Sequence, residues 1–177
     1  MHTCNTSTGL LSRRYTPRMV SAIVLSLLLA AGPQTARVVA VHDGDTITVR
    51  VDGHEEKVRL VGIDAPELND ERQAYRDEGY RARDHARSRL GGETVTLEPE
   101  PRQADRDRYG RLLRYVILRD GTNFNEEMVR QGHAHVYDRF EFSLKGRFKT
   151  AETEAKRERR GVWLLRPGPW REVPDAR

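Results

Sequence analysis

The chain has 177 residues, 37% hydrophobic and 33% charged, with a mean hydropathy of -0.75; it is sized for one soluble domain, which excludes a multi-span membrane protein and a collagen-like or low-complexity fibre. A single cysteine, Cys4, allows no internal disulfide and leaves no zinc-finger or zinc-ribbon spacing. Of the net charge of +4, three units come from Arg13, Arg14 and Arg18 in an acid-free stretch ending at Ala36, so phosphate recognition by the remainder has to come from individually placed arginines.

Those three arginines precede an apolar run from Met19 to Ala31, followed by Gly32 and Pro33. This is the layout of a signal peptide over residues 1–36, and it predicts export to the periplasm or the medium. The run is shorter than the roughly 20 residues a bilayer span needs, which makes an uncleaved anchor the weaker alternative. Ser12-Arg13-Arg14-Tyr15 resembles the start of a twin-arginine signal, and Cys4 lies ahead of the run, where it is not placed for lipid attachment. One domain is expected over 37–165, and a Pro-containing surface tail over 166–177.

Within that domain Arg37 to Val41 and Thr46 to Val51 read as strands, the second with Ile47, Val49 and Val51 on one face. Asp52-Gly53 is a two-residue hairpin turn, and closing it places Val51 opposite His54, Ile47 opposite Val58 and Thr46 opposite Arg59. A helix is expected over Glu78 to Leu90, stopped by Gly91-Gly92, then strands at Thr94 to Leu97 and Leu112 to Leu118. Two more helices follow, Asn125 to Gln131 and Ser143 to Arg160, the latter with Ser143 as N-cap and Gly161 as stop. Five short strands with a helix between the third and fourth predict an α+β chain with a mainly β core: a five-stranded Greek-key barrel of the oligonucleotide-binding type (OB-fold), with three helices.

Charged residues gather where strands end: Asp43-Gly44-Asp45-Thr46 before the second strand, then Arg59, Asp64 and Glu67 along and after the third. By alternation Asp45 and Asp64 continue the inward-facing rows beyond their apolar parts. Two carboxylates meeting at a barrel rim cannot both stay ionised cheaply without a cation between them, and all-oxygen ligation suits Ca²⁺ or Mg²⁺. Taken singly, each segment also reads as something plainer: Asp-Gly-Asp as a turn whose glycine permits positive φ, Asp64-Ala65-Pro66-Glu67 as a second turn, Arg59 as a paired strand residue. His133 and His135, one residue apart, read as surface residues rather than metal ligands.

In order and spacing, Asp43-Gly44-Asp45-Thr46, Val58-Arg59-Leu60 with Ile63-Asp64-Ala65-Pro66-Glu67, and Asp107-Arg108-Tyr109-Gly110-Arg111-Leu112 resemble the staphylococcal nuclease family. The resemblance runs from about Val39 to Trp163 and extends to Asn125-Glu126, Val129-Arg130-Gln131-Gly132 and Gly161-Val162-Trp163. It implies a Ca²⁺-dependent phosphodiesterase acting on DNA and RNA with low sequence specificity. On this resemblance Asp45, Asp64 and the backbone carbonyl of Ala65 would hold Ca²⁺, with Asp43 an acid just behind them. Glu67 would orient or deprotonate water, Arg59 and Arg111 would grip phosphate oxygens, and Tyr109 and Arg108 would meet a neighbouring phosphate. Tyr137 is the candidate platform for a base. No obligate protein partner is implied, and nothing calls for more than a monomer. The contrasting expectations are a binding module of the same fold without catalysis, and an exported barrel whose charges are structural ion pairs.

Overall fold

Strict alternation on both sides of Asp52-Gly53 dictates a hairpin, and in a computed structural model, which describes residues 32–165, that hairpin forms in the expected register. Residues 1–31, which include Cys4 and the apolar run, and the tail after Leu165 lie outside the described residues, whereas Gln34, Thr35 and Ala36, expected to end the signal-peptide segment, belong to the first barrel strand. Strands β2 (Thr46–Val51) and β3 (His54–Leu60) pair with Val51 opposite His54, Ile47 opposite Val58 and Thr46 opposite Arg59. Asp52 and Gly53 both take positive φ, 49° and 82°, as a hairpin turn twisted like its strands requires.

Strand β1 (Gln34–Val41) serves two neighbours. Its first half pairs with β5 (Thr94–Pro99) and its second half with β2, and a bulge between Val38 and Ala40 turns it from one to the other. β5 pairs antiparallel with β6 (Leu112–Ile117), which closes in parallel against β3, giving the cyclic order β1-β2-β3-β6-β5. This is the expected five-stranded OB-type barrel. A separate two-stranded ribbon, β4 (Ile63–Asp64) with β7 (His135–Val136), is too short for any alternation to announce it in the sequence.

Three helices pack on this frame: α1 (Gln73–Leu90), α2 (Phe124–Arg130) and α3 (Lys145–Arg157). α1 begins before Glu78, because its first turns bury Tyr75, Glu78 and Gly79 rather than an aliphatic stripe. α3 is shorter than expected at both ends, and Ser143 does not cap it. Instead the Ser143 backbone N–H and hydroxyl donate to the buried Glu100 carboxylate, at 2.7 and 2.8 Å. Burial works against the charge on Glu100, but bonds from Tyr115, Ser143 and Arg102 hold its carboxyl below the usual range.

Asn125, fully buried at the start of α2, ties the helix to the barrel. Its Oδ1 accepts the Val116 N–H at 3.0 Å, and its Nδ2 donates to the carbonyls of Val61 and Arg114 at 3.0 and 3.1 Å. Asn125→Ala leaves these backbone groups short of partners in the core, so a loss of about 2–4 kcal/mol is expected, read as a lower urea midpoint with unchanged m.

His133 follows α2 and lies against His85 of α1, ring centroids 4.6 Å apart, while His85 Nε2 is 2.9 Å from Glu127 Oε1. Burial, then the neighbouring His85, lowers the His133 pKa from 6.5 to about 4. As pH falls, the unfolded chain takes the proton first, so the stabilisation is intact above about pH 6.5 and is lost progressively towards pH 4. A His133→Asn variant is therefore expected to lose less of its urea midpoint between pH 7 and pH 4.5 than the parent does.

Candidate active site

The Asp-Gly-Asp segment connects β1 to β2 at the barrel rim. Asp43 Oδ1 accepts the Asp45 N–H at 2.9 Å, which sets the turn. Asp45, only 7% exposed, accepts the Thr46 hydroxyl at Oδ1 and the Ala65 N–H at Oδ2, the latter at 2.8 Å, while its carbonyl accepts the Leu60 N–H. One residue thus fixes the β1–β2 connection against both the end of β3 and the segment after β4. Gly44 is not needed for positive φ, contrary to the turn reading. A Cβ there would lie 2.7 Å from Cβ of Ala65 and 2.9 Å from Cβ of Ala82, so Gly44 is what lets α1 and the Ala65 segment close over the turn.

Arg59 lies at the centre of the acids. Its Nη1 donates to the carbonyls of Leu60 and Ile63 at 2.9 and 2.8 Å, and its Nη2 lies 3.2 Å from both Asp45 Oδ2 and Asp64 Oδ1. Burial opposes the Arg59 charge, but Asp45, Asp64, Asp43 and Glu67, in that order, hold its pKa above the ordinary arginine value. The acids crowd one another in turn. Asp64 is pushed up to about 6 by burial and then by Asp45, with Arg59 and Arg139 opposing. Asp43 is raised by burial and Asp45, and Glu67 by partial desolvation and the fields of Asp45, Asp43 and Asp64.

Arg108, Tyr109 and Arg111 form a second group on the loop that enters β6. Arg111 Nε donates to Asp107 Oδ2 at 2.7 Å, and Asp107 Oδ1 accepts the Tyr109 and Arg111 N–H groups. Tyr109, 65% exposed, lies under the guanidiniums of Arg108 and Arg111, 4.9 and 5.3 Å from its ring centroid. Leu113 pairs with Arg59 across the parallel ladder, so Arg111 enters β6 about 7 Å along the strand from the position opposite Arg59.

Tyr137 is half-buried, its N–H donating to the Gly62 carbonyl and its ring 5.9 Å from Phe140. The more exposed aromatic of the pair is Phe140, which sequence reasoning passed over along with Arg139, whose charge acts on Asp64. The run Tyr137-Asp138-Arg139-Phe140 was the available signal. His135, expected at the surface, is buried: it pairs with Asp64 in the ribbon and meets Trp163 edge-on at 4.5 Å between centroids.

Among the described residues no group of three or more His, Cys, Asp or Glu side chains is gathered in metal-holding geometry. Asp45 and Asp64 share a positive group, Arg59 Nη2, at equal distance, and paired carboxylates are donors of the chemistry that a hard cation takes.

Residues 57–164 match the family described as staphylococcal nuclease homologue, a span that holds Arg59, Asp64, Glu67, Tyr109 and Arg111 and leaves Asp43 and Asp45 outside. Relatives named as nucleases include the following three. An Escherichia coli protein named uncharacterized endonuclease is 36% identical over 151 residues, 85% of this chain and 90% of its own. A thermonuclease of Staphylococcus hyicus is 33% identical over 134 residues, 75% of this chain and 78% of its own. A micrococcal nuclease of Shigella flexneri is 34% identical over 166 residues, 86% of this chain and 90% of its own.

The close approach at Gly44 yields a test of how tightly the acids are held. Gly44→Ala forces Ala65 and Ala82 apart, and a loss of about 1–3 kcal/mol in urea-unfolding stability is expected.

Proposed function

The chain belongs to the staphylococcal nuclease homologue family, and from that premise we propose that it is a nuclease: an exported, Ca²⁺-dependent phosphodiesterase that hydrolyses DNA and RNA with low sequence specificity. The observation that carries this reading is the placement of Asp45 and Asp64 on one nitrogen of Arg59, within the fields of Asp43 and Glu67. A module that only held nucleic acid would gain nothing from a crowd of carboxylates facing a polyanion. Such a crowd is useful where a cation and a water have to be handled. The arginines followed by the apolar run from Met19 to Ala31 support export.

In this reading Asp45, Asp64 and the carbonyl of Ala65 would hold the ion, which when bound supplies charge neutralisation and polarisation of a phosphoryl oxygen. Arg59 is held in place by the Leu60 and Ile63 carbonyls, so its charge is already oriented when an anionic phosphate arrives. Among the described residues the Arg111 side chain bonds Asp107 through Nε, and its terminal nitrogens are suited to meet two phosphate oxygens at once. A phosphodiester gains negative charge on its equatorial oxygens as water attacks, so two guanidiniums placed there favour the transition state over the substrate. Glu67 has its carboxyl raised by burial and by its acidic neighbours, which makes it a stronger base towards water than an ordinary carboxylate.

The test is digestion of single-stranded DNA and RNA by the full chain with Ca²⁺, with Mg²⁺ and with chelator. Calcium-dependent cleavage is expected. Glu67→Gln should lower kcat about 10²-fold or more with little change in KM. Arg111→Ala should lower kcat/KM about 10² to 10³-fold without a comparable loss of stability. Binding without cleavage in every metal would replace the nuclease by the binding module.

A further inference from the structure

The side chains of Arg108, Tyr109 and Arg111 are useful only if the loop carrying them is oriented relative to β3, and its backbone bonds tie it to itself and to β6: Gly110 N–H to the Asp107 carbonyl at 3.0 Å, Asp107 N–H to the Arg111 carbonyl at 2.9 Å and Leu113 N–H to the Asp105 carbonyl at 3.0 Å. Arg106 reaches beyond the turn. Its Nη1 and Nη2 meet Oε2 and Oε1 of Glu56 on β3 at 2.8 and 2.9 Å, a two-pronged pair, and Nη1 also donates to the Gly110 carbonyl at 2.8 Å. One guanidinium therefore clamps the far end of the turn to the strand that bears Arg59. At the near end the buried Arg114 donates to Asp105, so the loop is pinned on both sides.

We propose that Arg106 and Glu56 are positioning residues for the phosphate-gripping loop, fixing Arg108, Tyr109 and Arg111 relative to Arg59. The inference rests on the nuclease reading. Neither residue carries out chemistry: Glu56 is an anion and has no favourable contact to offer a phosphate. Both side chains are partly exposed, 43% and 29%, and an ion pair so placed contributes little to global stability. Its effect falls on the loop, because two parallel N–H to oxygen bonds fix direction as well as distance, and a small misplacement of a group acting on the transition state is costly in rate.

Glu56→Gln gives the decisive sign. If the surroundings acted only through charge, removing an acid near an anionic substrate would improve binding and lower KM. Positioning demands the opposite: Glu56→Gln and Arg106→Gln in the full chain should each lower kcat/KM about tenfold, with KM raised and the unfolding midpoint held near the parent's. The double variant should lose no more than the worse single variant, since both break one clamp. A parent chain that cleaves nothing would overturn the nuclease reading and this inference with it. An active parent whose Glu56→Gln variant keeps or improves kcat/KM overturns this inference alone, as do additive losses in the double variant. A loss confined to Arg106→Gln also overturns it, by showing that Arg106 meets the substrate directly.

Discussion

The Arg59 guanidinium is the constraint on which the rim of the barrel depends. β3 ends at Leu60, and the chain turns through Val61 and Gly62 before β4 begins, a corner held by a donor to each of the carbonyls of Leu60 and Ile63. Arg59 supplies both, and the same side chain stands between Asp45 and Asp64. A guanidinium withdrawn from water is costly unless its charge and its N–H groups are answered. Here two carbonyls and two carboxylates answer them. The dependence is mutual: without Arg59 the acids would face one another across a partly dry rim, where burial and mutual repulsion already raise Asp43, Asp64 and Glu67.

Asp45 carries that local arrangement into the fold. Through its carbonyl, its Oδ2 and its Thr46 contact it joins the start of β2, the end of β3 and the backbone at Ala65. Gly44 beside it allows α1 to pack at Ala82 with no side chain between. The acids are therefore not appended to a finished barrel. Their backbone segments are the contacts by which the β1–β2 connection, the β3–β4 corner and the first helix meet.

The parts legible in the sequence were those set by short-range rules. Asp52-Gly53 and the alternation around it determined the β2–β3 register, because in a hairpin the turn and the period of two leave no freedom. The ends of helices were less legible. α1 runs back to Gln73, its early turns burying Tyr75 and setting Gly79 close against the Pro66 and Glu67 carbonyls, tertiary contacts with no local mark. Ser143 carried the mark of an N-cap, yet a buried carboxylate competing for the same donors drew it to Glu100. At the site, motif spacing brought Asp43, Asp45, Arg59, Asp64 and Glu67 together, and the structure unites them. It did not reveal Arg106 or Arg139, whose partners lie on Glu56 and beside Asp64, far along the chain. Nor did it reveal His135, whose burial comes from a two-residue ribbon.

Charge distribution bears on how such a site would meet its substrate. Three of the four net positive charges lie before Arg37, and many arginines of the barrel and helices are already paired with acids, as in Arg50–Glu55, Arg89–Glu127 and Arg130–Glu126. A body so nearly neutral exerts little long-range pull on a polyanion. Recognition in the proposed reading then rests on a few phosphate contacts from Arg59, Arg108, Tyr109 and Arg111, and few contacts mean few counterions released. The same placement that makes binding local also makes it indifferent to base identity, since guanidiniums directed at phosphate oxygens read the backbone that every sequence shares.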